Sequence, residues 1–254
     1  MEIKILGCYG AEIPGYKTSC FMINDSTLID AGAITSQLSP EEQQGIRDIL
    51  VTHSHLDHIK DIPLLADNII GTDPGKVNIV SSGEVISTLK EHLFNNKIWP
   101  DFSKIPTEED PVISFTEIEQ GKSFHIRGAE VTAINVTHVV PTLGYIISEN
   151  GSSVAILGDT RDTEEIWEVL NRVKDLKAVF IETSFPNNME ELAKLSGHLT
   201  PDMLAQELKK LDNPDVQIFI YHMKPNFLNT LKDEISGLDN KNISILDQNQ
   251  TFTF

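Results

Sequence analysis

The sequence predicts an α/β fold, because apolar strand candidates alternate with amphipathic helix candidates along the chain. Several apolar runs, such as Val154–Leu157 and Val216–Tyr221, are continuous, which is typical of strands covered on both faces. The length of 254 residues allows one large core and is short for two ordinary domains. We therefore expect a single domain over residues 1–254. Two sheets between helix layers fit this order, but hydrophobic periodicity alone fits a three-layer parallel sheet as well.

The strand candidates are short runs rich in β-branched and aliphatic residues. After a first strand over Met1–Leu6, they are Cys20–Ile23, Leu28–Asp30, Ile49–Thr52, Val77–Val80, Val131–Thr137, Gly144–Ile147, Val154–Leu157, Val179–Ile181, Val216–Tyr221 and Ile243–Leu246.

Helix start signals lie between the strand candidates. We expect Asp162 to cap a helix over Thr163–Val173, with Glu165 as its capping-box partner. Thr200 is expected to cap the next helix, because Pro201 follows at the first helical position. A third helix is expected to follow Pro225 and to end near Ser236.

The stretch from His92 to Glu119 departs from this alternation. It contains three prolines and the acidic run Glu108–Asp110. We expect a long excursion from the core near residues 92–119, and such loops are often lids or interface elements.

Composition narrows the choice of partners. The formal net charge is −18, from 20 basic and 38 acidic residues, and such a surface repels phosphate backbones. Long nucleic acids and anionic membranes are therefore poor candidates for partners, and no apolar run is long enough to span a bilayer. Only two cysteines occur, and the first residues do not resemble a signal peptide. We expect a reducing, cytoplasmic setting.

The central motif is Thr52-His53-Ser54-His55-Leu56-Asp57-His58, which directly follows the apolar run Ile49–Val51. Four side chains of the kinds that bind metals fall within six residues. A turn after a strand can direct such side chains at two metal ions. Imidazole and carboxylate groups suit zinc, iron and manganese. The motif therefore predicts a metal centre.

Further candidate ligands lie at the ends of other strand candidates. His138 follows Val131–Thr137, Asp159 follows Val154–Leu157, and His222 follows Val216–Tyr221. Each residue alone is ordinary, but together they supply the extra ligands that a two-metal site requires. His92 lies in a helical stretch and is interpreted as a surface residue, and His125 fits no such pattern.

Glu182 and His198 form a second candidate pair. Glu182 follows the strand candidate Val179–Ile181, and His198 precedes the predicted helix start at Thr200. A carboxylate bonded to an imidazole fixes its tautomer and raises its basicity, as a general acid requires. The alternative is a surface histidine near a helix cap. The chain has neither a P-loop nor a G-x-S-x-G nucleophile motif.

The segment His53-Ser54-His55-Leu56-Asp57-His58 resembles the H-x-H-x-D-H signature of the metallo-β-lactamase superfamily. The resemblance implies an αββα sandwich of two mixed sheets between helix layers, with the metals at one edge. It also implies that His53, His55 and His138 bind one metal, that Asp57, His58 and His222 bind the other, and that Asp159 bridges them.

A narrower resemblance extends over much of the chain. Five segments of this chain resemble segments of the class II cyclic-nucleotide phosphodiesterases: His55–Ile59, Ile98–Pro100, Glu182–Asn187, Gly197–Pro201 and His222–Pro225. The resemblance implies hydrolysis of the 3′,5′-cyclic phosphate of cyclic AMP or cyclic GMP to the 5′-monophosphate. In the family, a glycine often occurs in the residues that follow the position of His58. Here Ile59-Lys60-Asp61 follows His58 without a glycine, and no ligand is affected. The transfer-RNA 3′-processing nucleases share part of the pattern.

The implied mechanism assigns roles to these residues. Two divalent ions, with zinc expected and manganese or iron as alternatives, would lower the pKa of water and offset phosphoryl charge. Asp57, His198 and Glu182 are the predicted catalytic residues, with His198 as the general acid. Trp99 is expected to stack on the nucleoside, with packing in the core or in a dimer as the alternative. A homodimer is suggested only by the resemblance and by the excursion around Trp99.

Three rival functions remain at this stage. The metal motif also occurs in thioester, lactone and β-lactam hydrolases, so it does not exclude them. RNA 3′-end processing would use a similar glutamate–histidine pair, but the net charge of −18 opposes it. A metal-stabilised binding or sensory module is disfavoured by the full set of candidate ligands.

Overall fold

The computed structural model describes residues 1–254 and contains two seven-stranded sheets. The first sheet has the order β14-β1-β2-β3-β4-β5-β6, and its strands are β1 (Glu2–Gly7), β2 (Cys20–Ile23), β3 (Thr27–Ile29), β4 (Asp48–Leu50), β5 (Val77–Ser81), β6 (Ile113–Glu117) and β14 (Thr251–Thr253). Pairing is antiparallel from β14 to β3 and parallel from β3 to β6.

The second sheet has the order β13-β12-β11-β10-β9-β8-β7. Its strands are β7 (Ser123–Ile126), β8 (Ala129–Val136), β9 (Thr142–Glu149), β10 (Ser152–Ile156), β11 (Leu176–Glu182), β12 (Gln217–Tyr221) and β13 (Ile243–Ile245). Pairing is antiparallel from β7 to β10 and parallel from β10 to β13. Both sheets are therefore mixed.

Nine α-helices accompany the sheets: α1 (Ile34–Gln37), α2 (Pro40–Gly45), α3 (Leu56–Ile59), α4 (Ile62–Ile69), α5 (Gly83–His92), α6 (Glu165–Leu170), α7 (Glu190–Ser196), α8 (Pro201–Glu207) and α9 (Leu228–Ser236). Short 3₁₀ turns cover Asn187–Met189, Leu208–Lys210 and Pro225–Phe227. No helix combines the length and the hydropathy needed to cross a membrane.

Two buried clusters hold these layers together. The larger contains 42 buried residues, among them Phe21 of the first sheet, Tyr145 of the second sheet and Trp167 of α6. The smaller contains 25 buried residues and joins the first sheet to α1, α4 and α5. Burial of apolar surface on both faces of each sheet explains why the strands are continuous apolar runs. The αββα sandwich is confirmed, and the three-layer parallel sheet is excluded.

Several predicted elements differ from those in the structure. Strands β6, β7 and β14 were not predicted. The predicted cap at Asp162 is wrong, because α6 begins at Glu165 and has no side-chain cap. The backbone N–H of Thr163 donates to Glu207 (3.2 Å), and the Thr163 carbonyl accepts from Lys210 (2.7 Å). Because these tertiary contacts hold the backbone of Thr163, the helix begins two residues later. The cap at Thr200 forms as predicted, since its hydroxyl accepts from Met203 N.

The predicted excursion is shorter than residues 92–119, because β6 occupies residues 113–117. The irregular segment between α5 and β6 is anchored by buried Phe94 and Phe102, and Trp99 packs against the same smaller cluster. The indole of Trp99 is thus part of the packing beneath this segment. Its role in substrate binding stays a prediction.

Candidate metal centre

All seven predicted ligands meet at one edge of the sandwich. His53 and His55 lie on the turn after β4, and Asp57 and His58 lie on the short helix α3. The second sheet supplies the other three ligands at the ends of strands: His138 after β8, Asp159 after β10 and His222 after β12. Strands β4, β10 and β12 end at this edge, where the backbone leaves the sheet and side chains can converge.

The ligand atoms form two adjacent groups. One contains His53, His55, His138 and Asp159, and the other contains Asp57, His58 and His222; within each group the atoms lie within 4.8 Å of one another. The Oδ2 atom of Asp159 lies 3.7 Å from His53 Nε2 and 3.4 Å from the Nε2 atoms of His58 and His222. Asp159 therefore stands between the groups, as a bridging carboxylate would.

Orphaned polar atoms show that this cluster fits metal ions. His53 Nε2 and Asp159 Oδ1 are buried and have no hydrogen-bond partner. Leaving such atoms unsatisfied is unfavourable, and native structures rarely do so. His58 Nε2 and His222 Nε2 face each other at 3.3 Å. Nitrogen and carboxylate donors in this arrangement suit divalent transition metals.

Hydrogen bonds orient four of the five histidines so that each presents Nε2 to the centre. The Nδ1 atoms lie within hydrogen-bond distance of four oxygens: Thr52 Oγ1 for His53 (3.0 Å), Asp30 Oδ2 for His58 (2.6 Å), the Gly197 carbonyl for His138 (2.8 Å) and Ser184 Oγ for His222 (2.9 Å). Such contacts fix the tautomer of a metal-binding histidine. His55 instead directs Nδ1 towards His138, at 3.4 Å.

Asp30 is the main residue that sequence reasoning missed. Its carboxylate binds His58 and also accepts from the backbone N–H of Thr52 at 2.8 Å. The Thr52 hydroxyl donates to Asp30 as well, which leaves its oxygen to accept from His53. Asp30 ends the predicted strand Leu28–Asp30, and an aspartate at a strand end was the same signal that identified Asp159.

Glu182 and His198 lie together beside the ligands, as predicted. His198 Nδ1 donates to Glu182 Oε1 at 2.7 Å, and both side chains are buried. The other carboxylate oxygen, Oε2, accepts from Ser184 Oγ at 2.8 Å, and Ser184 in turn contacts His222. One carboxylate therefore positions both His198 and a candidate ligand.

Burial and neighbouring charges shift the pKa values of several site residues. Burial lowers the pKa of His53 well below its usual range, so its imidazole is neutral. Burial opposes the charged form of His198, but Glu182 and Asp159 outweigh burial and raise the pKa of His198, against the charge of Lys224. Burial alone would raise the pKa of Asp159, yet His222 and His58 hold it well below the usual range.

Two backbone features allow the histidines to approach so closely. Gly197 has φ +78°, and a Cβ there would lie 2.6 Å from His138 Nδ1, so only glycine fits. His222 itself adopts the left-handed region at φ 62°. Such a conformation is unfavourable for a non-glycine residue and is often found at functional sites.

An open groove of about 730 Å³ adjoins the centre at His138. Its walls combine apolar and charged side chains: Val139, Arg161, Glu191, Leu192, Lys194 and Leu195. Leu195 is 78% exposed. The groove offers space for a substrate next to the ligands. The other histidines lie apart, with His92 exposed on α5, as expected, and His125 on β7.

An αββα sandwich with clustered histidines and aspartates at one sheet edge defines a metallohydrolase-type fold. The profile of the beta-lactamase superfamily domain matches residues 26–223. The chain belongs to this family, the metallo-β-lactamase superfamily, and the predicted membership is confirmed.

Relatives at modest identity point to two activities. A probable 3′,5′-cyclic-nucleotide phosphodiesterase of Yersinia pestis is 27% identical, over 89% of this chain and 79% of the relative. The 3′,5′-cyclic-nucleotide phosphodiesterase 1 of Saccharomyces cerevisiae is 27% identical over 71% of this chain, which spans 54% of that enzyme's length. A ribonuclease Z of Borrelia duttonii is 28% identical over 82% of each chain.

Solved structures share the fold. Unliganded yeast PDE1 superposes with a TM-score of 0.85 at 21% identity, over 98% of each chain. The short form of human tRNase Z superposes with a TM-score of 0.71 at 18% identity, over 100% of this chain and 99% of that one. At these identities the likeness shows the fold alone.

Proposed function

We propose that this protein is a metal-dependent phosphodiesterase that hydrolyses 3′,5′-cyclic nucleotides, such as cyclic AMP and cyclic GMP, to 5′-nucleotides. The observation that carries the proposal is the buried Glu182–His198 pair beside the seven clustered ligands. A proton donor next to a metal centre suits cleavage of a phosphodiester, whose alkoxide leaving group needs a proton. The relatives named as cyclic-nucleotide phosphodiesterases support the substrate class.

The ligand groups would hold two divalent ions, with zinc proposed and manganese or iron as alternatives. When bound, such ions lower the pKa of water and offset charge on phosphoryl oxygens. Asp159 stands between the groups and would keep their spacing. Asp57 completes the group that also contains His58 and His222, and its side chain is 33% exposed.

His198 would supply the proton in the bond-breaking step. The oxygen of water attacks phosphorus and one proton of that water is released to solvent, the bond from phosphorus to O3′ breaks, and a proton passes from His198 Nε2 to O3′. A proton from solvent then restores His198. Because Nδ1 is held by Glu182, Nε2 is the nitrogen left to donate. The product is a nucleoside 5′-monophosphate with a free 3′-hydroxyl. The buried carboxylate of Glu182 stabilises the imidazolium before the transfer.

Net charge favours a small substrate. A cyclic nucleotide carries one negative charge, whereas a structured RNA brings many phosphates against a chain of net charge −18. The groove beside His138 is open and of suitable size for a nucleoside, with apolar walls formed by Val139, Leu192 and Leu195.

RNA 3′-end processing is the second candidate, because one relative is a ribonuclease Z matched over 82% of both chains. The same glutamate and histidine would serve that reaction. A turnover screen of the metal-loaded protein with cyclic AMP, cyclic GMP, 2′,3′-cyclic nucleotides and precursor transfer RNA separates the two. We expect turnover of 3′,5′-cyclic nucleotides. Cleavage of precursor transfer RNA without turnover of any cyclic nucleotide would replace the proposal with the nuclease function.

A further inference from the structure

Lys224 stands next to the centre but has no role in the ligand set. It follows His222 by two residues and precedes the 3₁₀ turn Pro225–Phe227. Its side chain is partly buried. The Nζ atom donates to the carbonyl of Gly10 at 3.0 Å and lies 5.2 Å from the centroid of the Phe185 ring.

Both contacts place the ammonium on the side of the centre formed by His198 and His222. Gly10 packs so tightly on His222 that a Cβ at Gly10 would lie 2.4 Å from the His222 carbonyl and 2.8 Å from its Nδ1. The ring of Phe185 packs on His198, with centroids 5.8 Å apart. The residues that hold Lys224 are therefore the residues that flank the proton donor and a candidate ligand.

The ammonium of Lys224 lacks a counter-ion. Five lysines are partly buried: Lys4, Lys17, Lys60, Lys210 and Lys224. Each of the first four has a carboxylate oxygen within 4.0 Å, at 3.5, 2.8, 3.0 and 2.7 Å respectively. No carboxylate lies within that distance of Lys224, although the chain has 38 acidic residues. Removing an ammonium from water without a partner is unfavourable.

The N–H donors of the Lys224 ammonium are also short of partners. An ammonium has three N–H donors, and only one of those on Lys224 finds an acceptor in the protein, the Gly10 carbonyl. Two donors have no acceptor in the protein, and no carboxylate offsets the charge that lies over the Phe185 ring beside His198 and His222. A bound anion would satisfy both.

We propose that Lys224 is a substrate-binding residue whose ammonium bonds to a non-bridging oxygen of the phosphate group. The choice of a phosphodiester as the physiological anion rests on the proposed function, but the anion site itself requires only a phosphate. Lys224 remains bonded to Gly10 while it does so. The product, a nucleoside 5′-monophosphate with greater charge than the substrate, binds the same ammonium.

The test uses variants that separate the charge of Lys224 from its hydrogen bond to the Gly10 carbonyl. Lys224→Gln keeps an N–H donor for the Gly10 carbonyl but removes the charge, and Lys224→Arg keeps both. Lys4→Gln is the matched control, because it removes the same charge from a partly buried lysine that pairs with Glu42 instead. Metal content and melting temperature are measured for each variant, so that binding is compared between folded, metal-loaded proteins.

The readouts are the Kd for inorganic phosphate by calorimetry, and kcat and KM for cyclic AMP. A hydrogen bond to a charged group is worth about 10- to 100-fold in binding. We expect Lys224→Gln to weaken phosphate binding and raise KM by about this factor, Lys224→Arg to stay within a few-fold of the parent, and Lys4→Gln to match the parent. Phosphate binding by Lys224→Gln within twofold of the parent, or an equal loss in Lys4→Gln, would overturn the proposal.

The phosphate measurement is independent of the proposed activity. If the parent protein hydrolyses no cyclic nucleotide, the proposed function fails, while phosphate binding by the variants still decides the role of Lys224. If Lys224 served only to tether Gly10, Lys224→Met would lower the melting temperature and leave the phosphate Kd of the folded protein unchanged.

Discussion

Oε1 of Glu182 lies 2.7 Å from Nδ1 of His198, and both side chains are buried beside the ligand cluster. The two residues come from different elements, one at the end of β11 and the other before α8. Because the carboxylate also accepts from Ser184, which in turn contacts His222, Glu182 positions both His198 and a candidate ligand.

His198→Ala is expected to lower kcat for cyclic AMP by about 10²- to 10⁴-fold, the usual effect of losing a general acid. The loss should be smaller for bis(4-nitrophenyl) phosphate, because a nitrophenolate leaves without protonation. Steady-state kinetics on both substrates, at equal metal content, measure the difference. Equal losses on the two substrates would remove His198 from the acid role.

Asp57→Ala and Asp159→Ala are expected to abolish turnover while the fold survives. Asp57 is partly exposed, and Asp159 contacts other site residues through its carboxylate, so neither change removes much apolar packing. Circular dichroism reports the fold, and phosphodiester hydrolysis reports the activity. A variant that keeps activity within tenfold of the parent would show that its carboxylate is not a ligand.

About two metal ions per chain are expected in the purified protein, with zinc as the proposed metal. The first sheet contributes His53–His58 and the second contributes His138, Asp159 and His222, so bound ions join the two halves. Chelation should therefore lower the melting temperature as well as the activity, since a ligand that binds only the folded state stabilises it. Elemental analysis and calorimetry test this. Absence of transition metal, with activity unaffected by chelators, would refute it.

Asp30→Ala is expected to weaken metal affinity by about 10- to 100-fold, because Asp30 orients His58 and Thr52 without being in the ligand set. Asp48→Ala is a suitable control, since Asp48 is also a buried aspartate but binds Arg127. Titration with a competing chelator gives both affinities. Comparable affinities for the two variants would mean that Asp30 has no orienting role.

Sequence patterns identified the seven residues that converge at this edge, because a local motif or a strand end marks each of them. Asp30 shows the limit of this reasoning. It ends a predicted strand, as Asp159 does, but only the pairing of β3 with β4 brings it beside Thr52 and His58 and so identifies it as a site residue. A contact between residues 28 positions apart depends on strand register, which hydrophobic patterns do not specify.

The missed strands have a similar cause. Strands β6 and β7 lie at the edges of their sheets and contain many exposed residues, so they lack the continuous apolar runs that marked the central strands. For Trp99 the sequence left stacking on the nucleoside and packing as alternatives, and its role in substrate binding stays a prediction. An aromatic residue in an irregular, proline-rich segment was a reasonable candidate for stacking on a base, but its ring also fills space against the smaller core cluster.

The backbone N–H of His222 donates to the carbonyl of Cys8 at 2.6 Å, directly after the first strand. His222 is also the last of the seven ligands in chain order. During translation, the residues from His53 to Asp159 leave the ribosome well before the residue that completes their cluster. A nascent chain thus exposes an incomplete set of ligands for much of its synthesis. Completion of the group formed by Asp57, His58 and His222 is therefore a late event in synthesis, set by the emergence of residue 222 and its docking beside the first strand.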